Sequence, residues 1–101
     1  MSIYHVDDIR EKLRPVFAAE PIYQAILFGS YAKGIATENS DVDIVIDSRG
    51  ELRGLSFYGV LDDIVETLGK SVDLIELSEI RPGAPILKDV SQGVVLYERQ
   101  G

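Results

Sequence analysis

The sequence predicts an α+β fold, an α/β sandwich in which helices pack on a small mixed β-sheet. Two observations carry this reading. The hydrophobic period alternates between about 3.6 and 2 along the chain, in the order helix, strand, helix, strand, helix, strand, helix, strand. The strand-like runs are short and are separated by turns rich in glycine, proline and polar residues. A chain of 101 residues suits a single domain spanning 1–101, with one modest core.

Each element follows from its residues. Ser2 is positioned to cap a first helix, with Ile3, Val6, Ile9 and Leu13 at helical spacing. Pro15 is expected to kink or end that helix, with Val16 and Phe17 continuing its apolar side. Glu20-Pro21 reads as a turn, and Ile22 to Phe28 as the first strand. Gly29-Ser30 ends the strand and opens a helical turn through Ala32. Gly34 to Ser40 is a polar loop. Val42, Ile44 and Ile46 alternate with Asp41, Asp43 and Val45 in a second strand. Ser48 to Gly54 is a polar connection. Leu55, Tyr58, Leu61, Val65 and Leu68 form the core stripe of a third helix, capped by Gly69, with Asp62 and Asp63 on its polar face. Ser71 to Leu77 reads as the third strand, Ile80 to Pro85 as a turn, and Ile86, Leu87 and Val90 as a short helix ending at Gly93. Val94 to Tyr97 is the last strand.

Composition narrows the chemistry. With 46% apolar and 27% charged residues the chain is ordinary globular material. It has no apolar run of membrane-spanning length, and its start lacks the pattern of a signal peptide. There is no cysteine and one histidine, His5. Thiolate chemistry and cysteine- or histidine-based metal sites are thereby excluded, and any metal rests on oxygen ligands: magnesium, manganese or calcium. A reducing cytoplasm suits this composition. The net charge of −7, with scattered lysines and arginines, disfavours direct binding of a long nucleic acid. It leaves room for a basic protein partner, or for a nucleotide whose charge is carried by metal.

Three features carry the candidate chemistry. Gly29-Ser30 sits at a strand-to-helix junction. There glycine permits close backbone approach, and the N–H groups of the next turn favour an anion such as a terminal phosphate. The same residues also serve as a strand end and a helix cap, and the two roles are compatible. Asp41 and Asp43 lie at i and i+2 of a strand, so they share one face, roughly 7 Å apart along the chain. Two such carboxylates repel unless a divalent cation lies between them, and that cation is the Lewis acid that nucleotidyl transfer needs. Asp73 faces away from the core if Val72 and Leu74 face into it. Beside the second strand it would approach Asp41 and Asp43, as a ligand for a second metal or as a base. Asp41 and Asp43 on their own read more readily as solvated residues of a sheet face, and it is Gly29-Ser30 upstream and Asp73 downstream that turn the reading to a metal site. The P-loop fails because Ile35-Ala36 follows Gly34, and the EF-hand fails at Val45.

The joint pattern of Gly29-Ser30-Tyr31-Ala32-Lys33-Gly34, Ser40-Asp41-Val42-Asp43 and the distant Asp73 resembles the polymerase-beta nucleotidyltransferase superfamily. The closest likeness is to prokaryotic minimal nucleotidyltransferases, the MNT-type antitoxins. It covers nearly the whole chain, including Gln92-Gly93-Val94-Val95-Leu96-Tyr97. The resemblance implies a polymerase-beta-like nucleotidyltransferase fold and catalysis by Asp41, Asp43 and Asp73. It implies two Mg²⁺ ions on these carboxylates, ATP as substrate, and a triphosphate held by Gly29, Ser30 and Lys33. Many relatives carry arginine where this chain has Lys33, which keeps the charge and loses the planar fork. The resemblance also implies a HEPN-type toxin as partner, silenced by transfer of AMP to a tyrosine hydroxyl.

Two facts accord with that expectation. The chain is too short to carry its own acceptor-binding domain, and its acidic surface suits a basic partner. An antitoxin acting by binding alone and transfer to a small molecule are the alternatives. RNA tailing is disfavoured by the charge. Association into homo- or hetero-oligomers is open to a domain this small with several apolar strands. Ser40 is expected to brace its loop, Asp47 to be a solvated strand end, and His5 to be a surface helix residue without assigned function. Tyr31 is readable as a surface aromatic or as a base contact.

Overall fold

The computed structural model describes residues 3–100, so Ser2 and its capping role lie outside the described residues. Eight elements follow in the expected order: α1 (Val6–Ala18), β1 (Gln24–Phe28), α2 (Gly29–Lys33), β2 (Val42–Asp47), α3 (Leu55–Leu68), β3 (Val72–Glu76), α4 (Ile86–Ser91) and β4 (Val94–Glu98). A 3₁₀ turn, Leu77–Glu79, joins β3 to the α4 region. The strands form one sheet in the order β3-β2-β1-β4. β1 runs antiparallel to both β2 and β4, whereas β2 and β3 are parallel. The small mixed sheet is therefore as the sequence pattern predicts.

Strand alternation builds two layers. Ala25 and Leu27 of β1 and Val42, Ile44 and Ile46 of β2 face the main core. There they meet Ile9, Leu13 and Phe17 of α1 and Val60, Ile64 and Leu68 of α3. Phe28 and Val45 point to the opposite face, where Val90 of α4 covers them. This second, smaller layer leaves room for a site beside α4.

Several boundaries differ from the sequence reading. α1 begins at Val6, with His5 as N-cap and the Asp8 carboxylate accepting the His5 backbone N–H at 3.2 Å. Ile3 stands outside the helix, and His5 caps it rather than lying within it. Pro15 neither ends the helix nor disrupts it, since α1 continues to Ala18. Pro15 and Glu11 are both on the exposed side, so the carbonyl that loses its intrahelical partner can turn to water. Ile22 is fully buried but precedes β1. Leu77 leaves the third strand, because the Glu76 side chain accepts the Ser78 N–H and turns the chain.

The largest correction concerns α3. Its core stripe is Val60, Ile64 and Leu68, with Phe57 packed against the same cluster. Leu55 is 91% exposed and Tyr58 60% exposed, and Val65 is exposed as well. The expected stripe is thus rotated by one residue, about 100°. At that angular step Asp62 and Glu66 fall opposite Val60, Ile64 and Leu68, so keeping the charges in water sets the rotation. Leu55, Tyr58 and Val65 are left on an outer flank. Asp62 and Asp63 are exposed, as expected.

A buried polar tie fixes the far end of the sheet. Ser48 and Glu76 are 0% and 4% exposed. The Glu76 carboxylate accepts the Ser48 N–H at 2.7 Å, the Ser48 hydroxyl, and the Ser78 N–H at 2.6 Å. The Ser48 Oγ in turn accepts the Leu52 N–H at 3.1 Å. Burial pushes the carboxyl up, but the hydrogen bonds from Ser48 and Ser78 outweigh it and hold its pKa down at about 2. A folded pKa below the ordinary 4.5 contributes stability that is complete above 4.5 and is lost as pH falls toward 2. Acid titration of the melting temperature is expected to show this loss, and Glu76→Gln, less stable at pH 7, is expected to flatten it.

Candidate active site

The site forms where β1 ends and β2 and β3 begin. Phe28, the last residue of β1, pairs with Asp43, and Asp43 pairs with Asp73 across the parallel β2–β3 ladder. Three adjacent strands therefore deliver Gly29, Asp43 and Asp73 to one place on the α4 face. They line an open cleft of about 300 Å³, with Ile75, Ile86 and Asp89 around it.

Gly29 is indispensable to this geometry. Its φ of +74° is in the left-handed region, and a Cβ there would land on the Asp43 carboxylate, 3.1 Å from Cγ. The backbone of the Gly29-Ser30 junction thus lies against the Asp43 carboxylate. Gly34 ends α2 in a second left-handed conformation, φ +74°. The Ser30 carbonyl accepts the Ile35 N–H at 3.1 Å, which closes the turn. Lys33 lies exposed in the last turn of α2.

The electrostatics are those of a site short of positive charge. Burial, then the neighbouring Asp73, then Asp41 push the Asp43 pKa from 3.8 up to about 6, and the Asp73 side chain also shares a hydrogen bond with Asp43. The single ion pair among the described residues, Arg10 to Asp7, is on α1, so no lysine or arginine there neutralises the pair. Asp41 is exposed and precedes the first paired residue of β2, so the ladder does not fix its direction. It acts on Asp43 through charge. Among the described residues no three carboxylates converge to hold a metal ion, so the expected trio of Asp41, Asp43 and Asp73 is not brought together as a ligand group. The donor set still suits a hard divalent cation, with oxygen ligands only and like charges that a cation would relieve.

Other residues are placed as follows. The Ser40 Oγ accepts the Thr37 N–H at 2.9 Å and braces the loop before β2, as expected. Asp47 ends β2, where its Oδ1 accepts the Arg49 N–H at 2.9 Å. Tyr31 is neither a surface aromatic nor a base contact. It is 4% exposed and belongs to the main core, and its hydroxyl has no partner among the described residues. Asp89 and Ile86 on the cleft wall escaped the sequence reading. Their spacing of three on α4 was the available signal, since it puts both on one side of a short helix.

Comparison with known proteins agrees with the fold. The family model described as polymerase beta, nucleotidyltransferase, matches residues 11–101. A protein adenylyltransferase, MntA, of Thermococcus cleftensis is 38% identical over 87 residues, covering 85% of this chain and 82% of that one. Among solved structures, a toxin–antitoxin with AMP-PNP superposes with a TM-score of 0.74 at 24% identity, covering 90% of this chain and 74% of that one. A tri-AMPylated HEPN toxin of Shewanella oneidensis in complex with its MNT antitoxin gives a TM-score of 0.68 at 19% identity, covering 93% and 73%. The fold is shared with both, and on the family match across nearly its whole length the chain belongs to the polymerase beta nucleotidyltransferase family.

Proposed function

We propose that this nucleotidyltransferase moves AMP from ATP onto a tyrosine hydroxyl of a partner HEPN-type toxin and so acts as the antitoxin of the pair. The observation that carries the reading is the meeting of Asp43 and Asp73 against the Gly29-Ser30 junction, a paired carboxylate beside a left-handed glycine turn. The MntA relative and the AMPylated toxin complex support protein as the acceptor.

Each residue has a part. Gly29 and Ser30 receive the triphosphate through backbone N–H groups and the Ser30 hydroxyl, and Lys33 adds charge at the end of the same turn. Asp41, Asp43 and Asp73 would hold Mg²⁺, two ions in the full arrangement, which supplies counter-charge and Lewis acidity. Asp73, exposed at the sheet edge, receives the acceptor. The acceptor oxygen bonds to the α-phosphorus, the bond from that phosphorus to the β-phosphate bridge breaks, and pyrophosphate leaves. The hydroxyl proton passes to Asp73. No described helix is long and apolar enough to cross a membrane, and we place the reaction in the cytoplasm.

The test incubates the protein with labelled ATP, Mg²⁺ and a candidate toxin, beside Asp41→Asn/Asp43→Asn. Label on the toxin with the wild type, absent with the variant, is expected. If both variants silence the toxin and neither labels it, the transfer reading falls and a binding antitoxin remains.

A further inference from the structure

β3 is an edge strand whose only sheet neighbour among the described residues is β2. The Val42 N–H donates to the Ser71 carbonyl at 3.0 Å. In a parallel ladder this register turns residues 71, 73 and 75 toward β2, and the N–H and C=O groups of Val72, Leu74 and Glu76 toward the free edge. The two sides of this edge differ. On one side lies the active-site cleft, with Asp43, Asp73 and Ile75. On the other is a larger groove of about 420 Å³, lined by Leu52, Phe57, Tyr58, Leu74 and Glu79. Leu74 and Ile75 line both, so cleft and groove adjoin on the two sides of the strand.

We propose that the β3 edge is the acceptor-docking site, where an extended, basic segment of the acceptor protein adds as a fifth strand. The proposal rests on the transferase reading and specifies how its protein substrate is held. A strand laid along β3 sends alternate side chains to opposite faces. Those beside Asp73 enter the cleft. Those beside Leu74 enter the groove, where exposed Tyr58 and partly buried Phe57 receive an apolar anchor. The acceptor hydroxyl residue and its anchor are therefore an odd number of positions apart.

Charge selects the occupant. Asp73 on the edge and Glu79 on the groove rim are exposed carboxylates against one exposed guanidinium, Arg53, which also lines the groove and whose Nε is turned to the Gly50 carbonyl at 2.8 Å, so the balance is negative. A second copy of a chain carrying −7 would set Asp73 and Glu79 against their own kind, whereas lysines or arginines flanking the acceptor residue are attracted.

The experiment uses two lysine-flanked peptides, each with one tyrosine and one leucine. The leucine is three positions from the tyrosine in one peptide and two positions in the other. Amide exchange at Leu74 and transfer from labelled ATP are followed with each. The odd-spaced peptide is expected to slow Leu74 exchange and to have a KM about tenfold lower. Tyr58→Glu, an exposed change outside the catalytic residues, is expected to raise that KM about tenfold, leaving kcat and the KM for ATP unchanged. Equal KM values for the two spacings, or transfer without protection of Leu74, would overturn the proposal. So would no protection by either peptide, an unchanged KM in Tyr58→Glu, or Leu74 protection that depends on protein concentration alone. Protection of Leu74 by the odd-spaced peptide with no label transferred upholds the docking site and instead removes the transferase reading.

Discussion

Asp43→Asn is expected to lower nucleotidyl transfer by about a thousandfold and, in the metal-free protein, to raise the melting temperature at pH 7. The two effects share one cause. Asp43 is partly buried and sits beside Asp73 and within the field of Asp41, so its ionised form is disfavoured and its pKa stands at about 6 instead of 3.8. A pKa raised by folding means that the folded state binds the proton more tightly than the unfolded state between those values. The resulting penalty is therefore absent below 3.8, grows as pH rises, and is complete above 6. Asparagine has a similar shape and no charge, so it removes the penalty. It also halves the anionic pair that a divalent cation would occupy, and the transfer reaction loses its counter-charge. Melting in EDTA across this pH range tests the first effect. The gap between variant and wild type is expected to be widest above pH 6 and to close toward pH 4. A variant that melts below the wild type at pH 7 would mean that the ionised Asp43 is held by favourable bonds, contrary to the electrostatics described. The double variant with Asp41→Asn extends the transfer test and adds little to stability, because Asp41 is exposed.

The site was more legible in the sequence than the packing around it. Gly29, Asp43 and Asp73 are readable because each depends on local rules. A glycine at a strand end marks a special turn, and strand parity decides which face a carboxylate takes. What parity leaves open is register, and the juxtaposition of Asp43 with Asp73 was conditional on β3 lying beside β2. Asp41 shows the limit of the same rule. Counting by twos puts it with Asp43, but the ladder begins at Val42, and one residue outside the ladder the parity no longer binds. The α3 stripe failed for a different reason. Leu55, Tyr58, Leu61 and Val65 and Phe57, Val60 and Ile64 both keep helical spacing, and only the position of the acids separates them. Glu76 could not be recognised at all, because an isolated glutamate at a strand end looks solvated. Its meaning lies in Ser48, 28 residues away, and that contact exists only once β2 and β3 are paired. Tyr31 likewise turns inward because α2 packs on β1 and β2, a tertiary fact with no local signature.

Gly29→Ala is the substitution expected to damage both fold and function, and Gly34→Ala is its internal control. Both glycines have φ of +74°, so each alanine meets a backbone cost, about 1–2 kcal/mol for a left-handed residue with a Cβ. They differ in what lies beyond the new methyl group. At Gly34 no atom stands within 4 Å, whereas at Gly29 the methyl group falls on the Asp43 carboxylate. The Asp43 side chain has to rotate away from the methyl group while its backbone stays paired with Phe28 and Asp73, and rotation toward β3 brings the carboxylate nearer the like-charged Asp73. That rotation moves the Asp43 carboxylate away from the Gly29-Ser30 turn. A displacement on the order of 1 Å at a positioned group costs about a hundredfold in rate. Chemical denaturation is therefore expected to show Gly29→Ala as the less stable of the two. Transfer from labelled ATP is expected to fall about a hundredfold in Gly29→Ala and to stay within severalfold of wild type in Gly34→Ala. Equal losses in the two would show that the turn conformation alone matters and that the approach of Gly29 to Asp43 has no catalytic consequence. A loss confined to Gly29→Ala ties the rate to the one contact that brings the two halves of the site together.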